Sequence, residues 1–225
     1  MSINVSFVSD PAFVSAYYAG LSTLDCLPEE RRRLFQYDPW RVYIALQVAK
    51  QCLLVQGDFV ECGVNTGFLA KSILHQYSAN LRARRFYLCD TWAGVQIDQL
   101  SDDEIKDGKA SVNQGYYDID IFQPVSEIFR IYDNVKLVRG TVPESLSQVG
   151  SGSIAYLSID MNCAYPEVKA IEYFWPLISR GGCILLDDYG FAGYAEQKSA
   201  IDKLMHDIAW NVIQLPSGQG LIIKG

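Results

Sequence analysis

From Asp58 onward the chain alternates short, β-rich apolar runs with longer stretches whose apolar residues recur at helical spacing. That alternation predicts a doubly wound α/β fold, a mostly parallel sheet covered by helices on both faces. The expected strands are 59–62 (F-V-E-C), 86–90 (F-Y-L-C-D), 135–139 (V-K-L-V-R), 154–160 (I-A-Y-L-S-I-D) and 183–188 (C-I-L-L-D-D). Two more, 210–215 and 220–224, are separated by P-S-G-Q, which is long enough for a hairpin and too short for a crossover helix. An antiparallel edge strand at the C-terminus follows, and seven strands in all. Helices are expected over 67–77, 165–178 and 196–208, the second preceded by the turn-forming Asn162 and closed by Arg180-Gly181-Gly182. Residues 1–56 read as a helical cap on the sheet, with Asp38-Pro39 as the N-cap and first residue of a helix through Leu54. The remaining 57–225 would form the main body of one structural domain.

One connection is too long for this pattern. Between Asp90 and Val135 runs a polar segment, 96–134, with the acidic stretch Ser101-Asp102-Asp103-Glu104 and then Gly115-Tyr116-Tyr117-Asp118. It reads either as a lid over a ligand or as a solvated insertion with one helix over 124–132.

Composition narrows the function classes. Hydrophobic residues make up 49% of the 225 positions and charged residues 20%, which suffices for a closed core and argues against disorder. A net charge of −7, with basic residues clustered only at Arg31-Arg32-Arg33 and at 82–85, disfavours nucleic acid. Six scattered cysteines without a C-x-x-C pair read as buried hydrophobes in a reducing compartment. The first ten residues lack a signal peptide's basic start and apolar block, and no apolar run reaches membrane-spanning length. A cytoplasmic location without a membrane partner is therefore expected.

In an open parallel sheet, ligands bind beyond the carboxyl ends of the strands. Those ends carry Glu61 with Cys62-Gly63-Val64-Asn65-Thr66-Gly67, then Asp90, Gly140-Thr141, Asp160 with Asn162, and Asp187-Asp188. Gly63 and Gly67 permit a tight turn and close backbone approach. Asn65 stands where a dinucleotide-binding loop has its second glycine, which disfavours a pyrophosphate and an NAD-linked reaction. Glu61 is suited to an ammonium group and Asp90 to both hydroxyls of a ribose. Each acid alone would also serve as a helix cap. Together, in this order and with the glycines, they favour a nucleoside with a positive centre and no phosphate, and S-adenosylmethionine is such a ligand. Asp187 and Asp188 would point to opposite sides if both remained on a strand, and a simple Asp-Asp turn is one reading of them. With Asp160 on the neighbouring strand, they also suit a hard divalent cation such as magnesium, which would activate an acceptor hydroxyl. Neither His75 nor His206 falls at this edge, so a base, if needed, is a carboxylate, first of all Asp160.

With these residues assembled, the chain resembles the macrocin O-methyltransferase family. The matching stretches are G-D-F-V-E-C-G-V-N-T-G (57–67), F-Y-L-C-D-T-W-A-G-V (86–95), V-K-L-V-R-G-T-V-P-E-S-L (135–146), L-S-I-D-M-N-C-A-Y (157–165) and L-I-S-R-G-G-C-I-L-L-D-D-Y-G (177–190), in family order. The resemblance covers roughly residue 38 to the end. It implies a class I methyltransferase (Rossmann-like) fold and S-adenosylmethionine- and magnesium-dependent methylation of a sugar hydroxyl in natural product biosynthesis. It further implies a cofactor site at Glu61, Gly63, Asn65, Gly67, Asp90 and Thr91, and a metal site at Asp160, Asp187 and Asp188, with Asp160 also as base. Asn162-Cys163-Ala164-Tyr165 departs from the family, which usually has a second acid and a leucine there, and Pro166-Glu167 replaces its Ser/Thr-rich helix start. A catechol-type acceptor, whose two adjacent oxygens would chelate a metal equally well, is one alternative, and those departures leave a non-catalytic cofactor-binding homologue as another. The acceptor's identity and a homo-oligomeric state stay open.

Overall fold

The computed structural model describes residues 5–35 and 37–225. The leading block is helical: α1 (Pro11–Leu21), α2 (Glu29–Arg32) and α3 (Pro39–Cys52), with one 3₁₀ turn before α1 and one between α1 and α2. Two Asp-Pro pairs set the starts of α1 and α3. The side chains of Asp10 and Asp38 accept from the amides of Ala12 and Trp40, each at 2.8 Å, while proline fills a first-turn position that needs no amide donor.

The sheet then begins with β1 (Asp58–Cys62), followed by α4 (Phe68–Leu81), β2 (Phe86–Asp90), α5 (Asp102–Lys106), α6 (Lys109–Tyr117), α7 (Phe122–Phe129) and β3 (Val135–Arg139). It continues through β4 (Ile154–Ile159), α8 (Ala164–Phe174), β5 (Ile178–Leu186), α9 (Ala195–Asp207), β6 (Ile213–Gln214) and β7 (Gly220–Ile223). The strand order is β3-β2-β1-β4-β5-β7-β6, parallel except for β7, which runs antiparallel to both β5 and β6. Successive residues face opposite layers. Phe59, Leu88 and Tyr156 pack against the layer of α1, α3 and α4, and Val60, Leu157 and Ile184 against that of α8 and α9. Order reverses between β1 and β4, so a crevice opens at their carboxyl ends.

Four features differ from expectation. The antiparallel strand lies one place in from the edge, because β7 carries the buried Ile222 while both residues of β6 are exposed. The helix expected over 165–178 stops at Phe174, since Pro176 disfavours helix at Trp175, and Arg180-Gly181-Gly182 falls inside β5, where the register against β4 shifts. The last helix of the long connection is α7, whose first residue is capped by Asp120 at 3.0 Å, and it ends at Phe129. The acidic run ahead of it is also helical. Ser101 and Glu104 form a reciprocal capping box on α5, and the buried Glu104 carboxylate accepts from the Ala164 amide at 2.9 Å, fastening this segment to the start of α8. None of the described helices is long and apolar enough to cross a membrane.

Candidate active site at the carboxyl edge of the sheet

A cavity of about 290 Å³ sits over the crevice, a size suited to a small molecule. Its floor holds Glu61, Gly63, Asn65, Asp90, Thr91, Asp160, Asp187 and Asp188, and its walls include Tyr37 and Arg41 from the leading block and Gln99, Tyr116 and Tyr117 from the long connection. Of the residues expected at the site, Gly67 alone does not line it. A Cβ at Gly67 would lie 2.3 Å from the Phe129 ring, so this glycine serves the packing of α7.

The loops after β1 and β2 are tied to one another. Asp90 Oδ2 accepts from the amides of Val64 (2.6 Å) and Asn65 (2.8 Å), and Oδ1 from the amide of Trp92 (2.7 Å). Trp92 Nε1 donates to the Asn65 carbonyl at 3.0 Å, and Thr91 Oγ1 donates to the Gly94 carbonyl at 2.8 Å. Asp90 therefore orders both loops. Gly63, at φ +84°, passes so close to β4 that a Cβ would lie 1.8 Å from the Asp160 carbonyl oxygen. Glu61 is different again. It is 2% exposed, and its Oε2 has no hydrogen-bond partner. Burial, then the charges of Asp160 and Asp90, hold its carboxyl well above the usual range. An orphaned acid facing a cavity asks for a cationic donor, and an ammonium group meets that demand.

Across the crevice, one oxygen each from Asp160, Asp187 and Asp188 lie within 4.8 Å of one another. The strand ends at Leu186, and Asp187 and Asp188, which follow it, both bring an oxygen to this cluster. Asp187 continues the ladder by one bond, its amide donating to the Ile159 carbonyl at 3.0 Å. Burial and the Asp188 charge push Asp160 up to about 7, against the opposing pull of Arg41. Burial also raises Asp188. Three mutually close, hard oxygen donors match the ligand chemistry of a divalent cation. His75 is bonded to Ser15 and His206 lies in the last turn of α9, so neither reaches this site.

Several of the contacts here could not be read from the sequence. Arg41 pairs with both Asp187 and Asp188, and Gln219 donates to Asp187 Oδ1 at 2.8 Å. Asn162, held at φ +58°, accepts from Tyr194 Oη at 2.9 Å. Glu167, fully enclosed, accepts from the Met161 amide (3.0 Å) and from Gln197 (2.9 Å), and burial pushes its carboxyl up to about 8.

A family model described as macrocin-O-methyltransferase (TylF) matches residues 44–214. Among solved structures, the chain is similar to the O-methyltransferase NovP, with TM-score 0.70 and 22% identity over 82% of this chain and 79% of that one. It is similar to CalS11, a calicheamicin methyltransferase, with TM-score 0.71 and 16% identity over 96% and 93%. A methyltransferase of Podospora anserina, PaMTH1, solved with S-adenosylhomocysteine, gives TM-score 0.58 and 15% identity over 100% and 97%. At these identities the structures share the fold, a class I methyltransferase sheet. No match was found among curated proteins.

Proposed function

The chain belongs to the macrocin-O-methyltransferase family and is an O-methyltransferase; from that premise we propose that it methylates a hydroxyl of a sugar or glycosylated natural product, with S-adenosylmethionine as donor and a divalent cation as cofactor. The observation that carries this reading is the pairing, in one cavity, of a partnerless buried Glu61 with the converged carboxylates of Asp160, Asp187 and Asp188. CalS11, named also as a TDP-rhamnose 3'-O-methyltransferase of calicheamicin biosynthesis, supports a sugar hydroxyl as acceptor.

In this account Glu61 receives the ammonium group of the donor, and Asp90 Oδ1 a ribose hydroxyl. Gly63 and Asn65 present backbone to the ligand, and Thr91 braces the loop behind it. Asp160, Asp187 and Asp188 would hold magnesium or a similar cation, which when bound supplies a positive charge that lowers the pKa of the acceptor hydroxyl. Asp160, a carboxylate at this same edge, would take the proton as the oxygen attacks. The new bond joins that oxygen to the methyl carbon, and the breaking carbon–sulfur bond returns its electron pair to the sulfonium, leaving a neutral thioether. Tyr116 and Tyr117 of the 96–134 segment close over the crevice and exclude water, so the reaction needs mainly positioning.

Calorimetry with S-adenosylmethionine tests the donor, and silence towards both it and S-adenosylhomocysteine refutes the proposal. Asp187→Asn and Asp188→Asn are expected to abolish turnover while sparing donor affinity. Full activity in chelator removes the metal from the account.

A further inference from the structure

Arg41 lies in the first turn of α3, far along the chain from the acids it meets. Its guanidinium sits between Asp187 and Asp188, paired with Asp187 Oδ2 and, at 3.1 Å, with Asp188 Oδ1. A further donor bond reaches the Asp187 carbonyl at 3.4 Å. The other oxygen of Asp187 is taken by Gln219. Among the described residues no other lysine or arginine pairs with this cluster, since the nearby Lys109 is engaged by Glu104 and Gln197.

We infer that Arg41 is the resident counter-ion of the carboxylate cluster, and that it yields Asp187 and Asp188 to a divalent cation by exchange. The inference rests on the metal reading proposed above. Two positive charges seeking the same two carboxylate oxygens repel one another at contact distance in a poorly solvated pocket, so occupancy by one disfavours the other. Its guanidinium carbon already lies 4.9 Å from the centroid of the Phe191 ring, a cation–π contact made alongside the ion pairs. The arginine thus sets how tightly the metal is held. It also couples the metal to the leading block, because the same side chain is the ionic tie between α3 and the end of β5.

Titration of MnCl₂ and MgCl₂ into the metal-free full-length protein, followed by calorimetry and thermal unfolding, tests the exchange. Arg41→Met is expected to bind Mn²⁺ at least tenfold more tightly than wild type, with a lower metal-free Tm that metal restores. Arg41→Lys, which keeps the charge but loses the planar fork, should fall between the two and covers the case in which the methionine variant does not fold. Affinities equal to or weaker than wild type in the folded variants overturn the exchange alone. An absence of binding to wild type and both variants overturns the exchange together with the metal reading.

Discussion

Replacing Glu61 by glutamine separates what this residue does for the fold from what it does for the ligand. Its Oε2 is buried with no partner, a condition that costs on the order of 1–3 kcal/mol, and more when the group is charged. A neutral amide of the same shape relieves part of that cost. In a protein of this length each kcal/mol moves Tm by roughly 2–4 °C, so Glu61→Gln should melt about 2–6 °C higher without ligand at pH 8. The sign of the pH effect follows from the raised carboxyl. Folded Glu61 keeps its proton above the ordinary value of 4.5, so its contribution to stability is full below that value and is lost as pH rises through the folded pKa. The variant should therefore lose less stability than wild type between pH 5 and pH 8. Donor affinity should move the other way. A charge-assisted hydrogen bond contributes roughly 1.5–3 kcal/mol, so binding of S-adenosylmethionine should weaken by about one to two orders of magnitude. Scanning calorimetry across pH and isothermal titration make the two measurements. A variant that melts lower and binds the donor as tightly as wild type refutes the reasoning.

Gly63→Ala places a Cβ against the Asp160 carbonyl at a left-handed φ, and should cost more than about 2 kcal/mol. Thermal unfolding checks it, and a Tm within about 2 °C of wild type contradicts the close approach. Glu167→Gln should flatten the decline of stability between the ordinary carboxyl value of 4.5 and about 8, an effect of at most about 5 kcal/mol, because only the wild-type carboxyl carries a folded pKa raised by burial. Denaturant titrations at pH 5 and pH 8 give the comparison, and equal slopes in the two proteins count against it.

The parallel sheet was legible because its information is local. Apolar runs such as Phe59-Val60 and Ile154 to Leu157 are written contiguously, and the acids that follow them, Glu61 and Asp160, mark the carboxyl edge whatever the register. The Asp38-Pro39 start was legible for the same reason, since cap and first turn are neighbours in sequence. Ser101 and Glu104 carried the spacing of a capping box too, but the surrounding polarity hid the helix, whose burial comes from a carboxylate bonded to the distant Ala164. Arg41 could not be read at all. Its partner Asp188 lies 147 positions away, and a single arginine on an amphipathic helix has no pattern that announces an ion pair. Alternation along a strand would have sent Asp187 and Asp188 to opposite faces, and their convergence on Asp160 is visible only in three dimensions.

Methyl transfer itself tests the central claim most directly. Purified protein is incubated with methyl-labelled S-adenosylmethionine, magnesium and a panel of glycosides and catechols, with and without chelator, and the labelled products are resolved. Label is expected on a glycoside hydroxyl, lost on chelation and absent from Asp160→Asn. Label appearing only on catechols, or on a glycoside equally well in chelator and in the Asp160 variant, would contradict it.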